Sequence, residues 1–250
     1  MRSLVYFLLI CSGAVLAKDS QLSSADKLTD NNVITIAAAR LSHLVEEDQS
    51  GIYQKIFKQA SARTSFETRE IFLPYRRALL EFEHEKVDCT YSFTEVLERS
   101  LGESAIIFSY PLGAFSFHIF TRNNSPVITK LSQLANLNIG AINGQEHYYL
   151  NSLPPTLHNK LKLLNTDKQG VDMLALKRLD AYVGALPDLI PYLASLSYDP
   201  EFVLYKSFDR ITCHNNPKNQ AFLNELTAAL QAMKVAGDYQ MIAGELYIDF

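Results

Sequence analysis

Short apolar runs alternate with segments of helical spacing along the first half of the chain. Residues 33–39 form an apolar run of strand length, and buried-type residues then recur at helical spacing after Gly51. Strands have a side-chain period of two and helices one of 3.6, so this order indicates a strand followed by a helix. The alternation repeats, which predicts strands at 33–39, 65–73 and 87–93 and helices after Gly51 and over 76–86.

The second half of the chain continues the same alternation and ends in a helix. The pattern predicts strands at 115–121, 137–142, 161–164, 181–184, 202–205 and 210–214, covering helices near 171–175 and 189–193, and a closing helix with Phe222, Leu226, Leu230 and Met233 on one face. Strands that alternate with helices favour an α/β fold with parallel sheets covered on both faces. In such sheets ligands bind beyond the carboxyl ends of the strands, so we expect a cleft site.

The first 17 residues have the features of a secretory signal peptide. Arg2 precedes an apolar run that ends at Ile10, and Ala17 closes a small-residue cleavage motif. An uncleaved membrane anchor is the alternative, but the run is far shorter than the roughly 20 residues that a spanning helix needs. Ile10 before Cys11 argues against a lipoprotein, whose signal requires a small residue there. We therefore expect export, with residues 18–32 as a flexible lead-in.

Composition and charge favour a globular protein with a small-molecule partner. The chain is 48% hydrophobic and has a formal net charge of −4. It can bury a core, and it has no basic stripe of the kind that binds nucleic acid or anionic lipid. After removal of the leader, Cys89 and Cys213 remain. An oxidising compartment would permit them to pair, and two buried thiols are the alternative.

Six motifs follow one another along the mature chain. They are GIYQKIFKQA at 51–60, EIFLPYRRALLEFEHEKVDC at 70–89, FSYP at 108–111, LNIGAINGQ at 137–145, LKRLDAYVGALPD at 176–188 and GDYQMIAGEL at 237–246. In this order and spacing they resemble bacterial extracellular solute-binding proteins of family 3, which are typified by receptors for polar amino acids. Each motif is weak alone, because apolar strand-turn-helix strings are frequent, but together they cover nearly the whole mature chain.

The resemblance implies an architecture and a function. It implies a type II periplasmic-binding fold, with two Rossmann-like lobes joined by two hinge crossovers. Lobe one would comprise 33–113 and 210–250, and lobe two 114–209. This fold would bring Cys89 and Cys213 close together, which favours a disulfide. The implied function is periplasmic capture of a small polar solute, amino-acid-like or a carboxylate, for an inner-membrane permease. A sensory partner of a membrane signalling protein is the main alternative, and an enzyme on the same fold is a third.

The resemblance also implies candidate ligand contacts after the third strand. Arg99 would hold a ligand carboxylate, because a guanidinium offers a bidentate fork to two oxygens. Its spacing from FSYP is longer than in the family, so a solvated helix residue is the alternative. Ser92 and Thr94 match positions that donate hydrogen bonds to the ligand, although a strand-end cap explains them equally well.

Two predicted helix starts supply further candidates. Gly144 and Gln145 begin a helix, where free backbone N–H groups favour an anionic ligand group, although an ordinary strand-to-helix turn has the same pattern. Tyr75, Arg76 and Arg77 begin another on the expected cleft side, where one of them would stack on or pair with a ligand. At least one of these arginines is expected to be merely solvated.

The crossover and the strand after it add one candidate and one departure from the family. Tyr110 is a candidate cleft wall, with a packed hinge aromatic as the alternative. Amino-acid receptors carry an acidic residue where Ala185 stands, which puts a free α-amino acid in doubt. Asp188 follows, but we expect it along a helix rather than at the cleft mouth.

The sequence carries no positive sign of catalysis. The common nucleophile, zinc and phosphate-binding motifs do not occur, and Cys213 and His214 would point to opposite faces of a strand. Glu81, His84 and Glu85 are expected to form a charged helix face rather than a metal site. We therefore expect a monomeric binding protein without catalytic residues, metal or cofactor, and without a nucleic-acid partner.

Overall fold

A computed structural model describes residues 32–250 of the chain. Its strands are β1 (Val33–Ala38), β2 (Glu67–Phe72), β3 (Cys89–Tyr91), β4 (Ile106–Phe108), β5 (Gly113–Arg122), β6 (Ile139–Ile142), β7 (Lys162–Leu164), β8 (Ala181–Leu186), β9 (Leu196–Ser197), β10 (Tyr205–Asp209) and β11 (Ile211–His214). Its helices are α1 (Ile52–Ser61), α2 (Tyr75–Glu83), α3 (Thr94–Leu101), α4 (Glu146–Tyr149), α5 (Pro155–His158), α6 (Asp167–Ala175), α7 (Pro217–Ala236) and α8 (Asp238–Ala243). The predicted signal peptide and nearly all of the predicted lead-in lie outside the described residues.

The strands form two sheets. The first has the order β2-β1-β3-β11-β4, and the second has the order β10-β5-β8-β6-β7 with β9 paired to β5. We call each sheet, with the helices that cover it, a lobe. The chain passes from the first lobe to the second between β4 and β5, and it returns between β10 and β11.

The prediction of parallel sheets is wrong, because both sheets are mixed. Strands β1, β2 and β3 pair in parallel, as do β6, β7 and β8, and these strands are linked through helices. Strands β5, β10 and β11 pair antiparallel to their neighbours. Each of these three lies next to a passage between lobes, where no crossover helix turns the chain back to run parallel.

Alternating side chains of the strands fill a core on both faces of each sheet. In β1, Ile34 and Ile36 pack in a cluster with α1 and α7, whereas Ala37 packs on the opposite face with α2. In β8, Val183 and Tyr182 likewise belong to different clusters of the second lobe. This period-two pattern with apolar residues on both faces is that of sheets buried between helices.

A disulfide joins the two cysteines of the part of the chain that the structure describes. Cys89 of β3 and Cys213 of β11 stand opposite each other in an antiparallel pair, with their Cα atoms 4.0 Å apart. The bond spans 124 residues of sequence, so it links β3, which precedes the second lobe in the chain, to β11, which follows it.

Several predicted boundaries differ from the structure. The strand predicted at 202–205 is found at Tyr205–Asp209, because Phe202 lies in a turn closed by its N–H to the Asp199 carbonyl over 3.2 Å. The helix predicted near 189–193 is a short 3₁₀ helix at Ile190–Ser195. Strand β4 was not predicted. Within the described range, no helix combines the length and apolar character needed to cross a membrane.

Candidate functional site

A small pocket lies between the two lobes. The first lobe and the loop after β1 contribute Leu41, Leu44, Tyr75, Ser92 and Phe93, and the second lobe and its return contribute Phe115, Phe117, Gln145, Tyr148, Ala185, Pro187, Asp188 and Asp209. We call it the inner pocket. Its cavity is about 40 Å³, which is room for a few water molecules. Anything larger requires side chains or lobes to move.

Aromatic rings form most of the pocket wall. Tyr75, the first residue of α2, meets Phe93 edge to face with centroids 4.9 Å apart. On the other side, Phe115 meets Tyr148 in the same manner at 5.0 Å. Phe115 and Phe117 share one face of β5 because side chains alternate along a strand. The two lobes thus present facing aromatic surfaces.

Asp209 is a buried carboxylate at the end of β10. Its Oδ2 accepts a hydrogen bond from Tyr53 Oη over 2.8 Å, and its Oδ1 accepts one from Ser92 Oγ. Burial raises the pKa of Asp209 to about 6, although these two hydrogen bonds act in the opposite direction. Its side chain is therefore held in a fixed position by residues of the first lobe.

The backbone that carries Ser92 and Phe93 is strained. Both residues have left-handed conformations, with φ of +60° and +59°, and neither is glycine. Such conformations are uncommon for residues with a Cβ and tend to occur at functional sites. They turn the chain sharply between β3 and α3, which directs both side chains into the inner pocket.

Asp188 is the second carboxylate of the inner pocket. It lies in the turn after β8, whereas we expected it along a helix. The correction follows from the length of β8, which extends to Leu186, so that Asp188 is close to the strand end. Its Oδ1 atom is buried without a hydrogen-bond partner among the described residues. Burial raises its pKa well above the usual value, and the charges of Asp167 and Asp209 act in the same direction.

A larger outer cleft adjoins the inner pocket. It has a volume of about 980 Å³ and shares Leu41, Tyr75, Gln145 and Asp188 with the inner pocket. Its wall carries both basic and acidic side chains, namely Arg40, His43, Glu46, Arg76, Asp167, Lys168 and Asp188. The Thr166 side chain caps α6 by accepting from the Gln169 N–H over 3.2 Å, which fixes Asp167 at the start of that helix.

Five of the predicted site residues line the inner pocket, the outer cleft or both. Tyr75 and Gln145 line both, Ser92 lines the inner pocket, and Arg76 and Gly144 line the outer cleft. Gly144 has a φ of +88°, a conformation that favours glycine at this turn. Gln145 directly precedes the one-turn helix α4.

The other four predicted residues line neither space. The Arg99 side chain is exposed on α3, where its Nε donates to the Glu95 carbonyl over 3.2 Å. Arg77 pairs with Glu81 one turn along α2 at 3.1 Å. The other two pack internally: Thr94 shares a hydrogen bond with Thr212 at 2.7 Å, and Tyr110 packs beside the first-lobe core.

Sequence reasoning missed most of the pocket wall. Phe93, Phe115, Phe117, Tyr148 and Asp209 were not singled out, because each has an ordinary strand or helix context in the sequence. A usable signal was available for Phe115 and Phe117, whose alternation in strand β5 places two large rings on one face. Of residues 32–250, no group of three or more His, Cys, Asp or Glu side chains is placed to hold a metal ion.

Sequence comparisons return no match, whereas structure comparisons return many. No family model and no curated protein matches the chain. The ligand-binding core of GluR0 from Nostoc punctiforme, solved with L-glutamate, is 19% identical, with 86% of this chain and 99% of that chain covered and a TM-score of 0.65. The probable amino-acid ABC transporter extracellular-binding protein ytmK from Bacillus subtilis is 13% identical, with 87% and 99% covered and a TM-score of 0.66.

A sensor domain has the same fold. A histidine kinase sensor domain with similarity to periplasmic binding proteins is 16% identical, with 86% of this chain and 95% of that chain covered and a TM-score of 0.62. At these identities the likeness establishes architecture. The chain has the type II periplasmic-binding fold, which confirms the fold predicted from the six motifs.

Proposed function

We propose that the protein is a solute-binding protein that captures a small ligand between its two lobes. The observation that carries this proposal is the inner pocket, whose wall is built from facing side chains of both lobes. A ligand that contacts both lobes stabilises their closed arrangement more than the open one, because only the closed arrangement provides all the contacts. Two neighbours with the same fold support this function: the GluR0 ligand-binding core, which was solved with L-glutamate, and ytmK, a probable amino-acid ABC transporter extracellular-binding protein.

The two passages between lobes form the hinge in this proposal. The chain crosses at 109–112 and again at Arg210, and we place the lobe boundaries at about 113 and 210 as the sequence predicts. The Arg210 guanidinium lies 4.9 Å from the Phe108 ring centroid and 5.0 Å from that of Phe208. These rings belong to β4 and β10, so the stack ties the lobes where they rotate. Close to the hinge, Ser207 of β10 also donates a hydrogen bond to Glu95, from the second lobe to the first.

We infer that the protein acts in the periplasm, after export by the predicted signal peptide. A permease of the inner membrane is the proposed recipient of the closed, loaded form. The sensor-domain neighbour supports the alternative, in which a membrane signalling protein recognises the closed form instead. Both roles use the same binding event. They differ in whether the solute enters the cell, so uptake of radiolabelled ligand by cells with and without the gene separates them.

The experiment that tests solute binding combines a thermal-shift screen with solution scattering. Protein from the periplasmic fraction is unfolded and refolded to remove endogenous solute, then screened against amino acids, amines, carboxylates, peptides and sugars. A ligand at a hundredfold excess over Kd contributes about 2.7 kcal/mol, which raises the melting temperature by several degrees. We expect a hit that also lowers the radius of gyration.

A matched pair of variants locates the binding. Tyr75 lines the inner pocket, whereas Arg77, two residues away on the same helix, does not. We expect Tyr75→Ala to abolish the thermal shift and Arg77→Ala to retain it. A screen without any hit, together with scattering curves that no solute changes, contradicts the proposed function.

A further inference from the structure

Apart from two tyrosines, the ionisable side chains that line the inner pocket are acidic. Its wall contains the carboxyl groups of Asp188 and Asp209. Among the residues that the structure describes, no lysine, arginine or histidine lines it. The remaining wall is aromatic or aliphatic, apart from the amide of Gln145 and the hydroxyls of Ser92, Tyr75 and Tyr148. A ligand group that enters this pocket meets acceptors and rings but no positive charge.

The two carboxyl groups differ in the hydrogen bonds that they already accept. Asp209 accepts hydrogen bonds from Tyr53 and Ser92, so its position is fixed before any ligand arrives. The Asp188 Oδ1 atom is buried and accepts none within the described residues. An unsatisfied buried carboxyl oxygen is costly, and a hydrogen-bond donor from the ligand removes that cost. An ammonium group brings three donors and a compensating charge.

The aromatic wall suits the same group. Tyr75 and Phe93 on one side, and Phe115 and Tyr148 on the other, present rings to the pocket. Ammonium groups and the methylenes next to them are attracted to ring faces, more strongly where water is excluded. The cavity of about 40 Å³ admits a head group rather than a whole solute. The rest of the ligand would extend past Tyr75 and Asp188 into the outer cleft.

A carboxylate next to the ammonium group would not be accommodated. The resemblance to amino-acid receptors implied Arg99 as its anchor, but Arg99 is exposed on α3 and lines neither space. The arginines that do line the site, Arg40 and Arg76, belong to the outer cleft. An α-carboxylate held in the inner pocket would face two acidic groups without a positive partner, which is strongly unfavourable.

We propose that the inner pocket binds the ammonium end of a primary amine whose ammonium-bearing carbon carries no carboxylate. Asp188 and Asp209 receive the ammonium, and the aromatic wall encloses its first methylenes. This inference rests on the proposed function, because it names the ligand class of the same cleft. Binding of the cation ionises both carboxyl groups, whose pKa values are raised by burial. The affinity therefore increases as the pH rises through about 6.

Three matched pairs of probes test the ligand class by calorimetry on the refolded protein. Tyramine is compared with tyrosine, phenethylamine with phenylalanine, and agmatine with arginine, since each amine differs from its amino acid by one carboxylate, and none of these amino acids has a second primary amine. We expect at least one amine to bind about thirtyfold or more tightly than its amino acid, the effect of one desolvated charge contact. Equal or tighter binding of the amino acids overturns the amine proposal and leaves the proposed function intact.

Variants place the ammonium in the inner pocket. Asp188→Asn and Asp209→Asn are compared with Asp172→Asn, an exposed residue of α6 that pairs with Lys168 at 2.6 Å. We expect each pocket variant to lose about thirtyfold in amine affinity and the control to lose none. The Asp188 Oδ1 atom accepts no hydrogen bond within residues 32–250, so Asp188→Asn carries the test if Asp209→Asn does not fold. Unchanged amine affinity in Asp188→Asn overturns the proposed site.

The remaining outcomes separate the two proposals. If none of the six probes binds but another solute gives a thermal shift that Tyr75→Ala abolishes, the amine proposal is wrong and the solute-binding function stands. If no solute of any class binds and scattering never changes, the proposed function fails, and the inference falls with it.

Discussion

The inner pocket and the outer cleft are adjacent, share four residues and differ in charge. The outer cleft combines arginines and a lysine with glutamate and aspartates in about 980 Å³ of space. The inner pocket has two carboxyl groups, a mostly aromatic wall and a cavity of about 40 Å³. The outer cleft can therefore accept ligand groups of positive or negative charge, because water and side chains of both signs are present there. The inner pocket discriminates between ligand groups by their charge, because burial increases the cost of any uncompensated charge.

This contrast indicates where specificity resides. Interactions in a wide, hydrated cleft mainly influence encounter, whereas fully desolvated contacts determine which ligand stays bound. Variants in the inner pocket should therefore affect both stability and selectivity, and variants in the outer cleft should affect neither strongly. The following predictions test that division from the largest expected effect to the smallest.

The largest effect is expected from Asp209→Ala. This change leaves the buried hydroxyls of Tyr53 and Ser92 without the acceptor that they share. We expect the free energy of unfolding to fall by about 2–4 kcal/mol, measured by urea denaturation. Asp172→Ala, at an exposed position, serves as the control and should change it by less than about 0.5 kcal/mol. A fall of similar size in both variants would contradict the role assigned to Asp209.

The second prediction concerns pH. Burial raises the pKa of Asp209 from 3.8 to about 6, so the folded state binds its proton more tightly than the unfolded state. The resulting stabilisation is complete below the unfolded pKa and disappears as the pH rises through about 6. We expect a loss of up to about 3 kcal/mol between pH 4 and 7, measured as the difference between the parent protein and Asp209→Asn. Parallel stability curves for the two proteins would show that this carboxyl does not titrate as proposed.

Asp188→Asn should have a smaller effect of the opposite sign. The Asp188 Oδ1 atom is buried and unpaired within the described residues, and burial with two nearby acidic residues raises the pKa of this carboxyl, so at neutral pH the folded state holds it at a cost that a neutral amide avoids. We expect the ligand-free protein to gain about 1 kcal/mol of stability at neutral pH, measured by thermal denaturation. Residues kept at a cost to stability are typical of binding sites. A loss of stability would show that Asp188 serves the fold rather than the ligand.

The smallest effect is expected in the outer cleft. Arg76 is exposed there and has no ion-pair partner within the described residues. Arg76→Gln should change the free energy of unfolding by less than about 0.5 kcal/mol. It should alter the association rate of a charged ligand by less than about tenfold, measured by stopped-flow fluorescence at low salt. A larger loss of affinity would mean that the outer cleft also determines specificity.

Local patterns predicted most of the secondary structure but less of its arrangement. Strand β1, helix α1 and the final long helix α7 were predicted because their apolar spacing extends over many residues. The direction of β10 and β11 was not, since strand direction depends on where the chain changes lobes. The change of lobe occurs in the connection between β10 and β11, which is the single residue Arg210. So short a connection has no sequence pattern that shows where the next strand lies.

The site was harder to predict than the fold. Tyr75, Ser92 and Gln145 were identified because they begin or end elements, and such positions face the cleft in this fold. Arg99 was placed through a family pattern, and the structure gives it a solvent-facing position on α3. Asp188 and Asp209 come from the turn after β8 and from β10, two strands that are neighbours only through β5, and both become buried only when the second sheet forms and the first lobe packs against it. Burial and charge coupling of this kind leave no local signature.

The disulfide has a consequence for survival after proteolysis. Cys89 and Cys213 flank the whole second lobe, so every peptide bond of that lobe lies inside a covalently closed ring. A protease that cuts once in the ring opens it without releasing a fragment. The nicked molecule should migrate as one species on a nonreducing gel and as two after reduction. A protein of this design can tolerate a single cleavage in its second lobe and remain one particle.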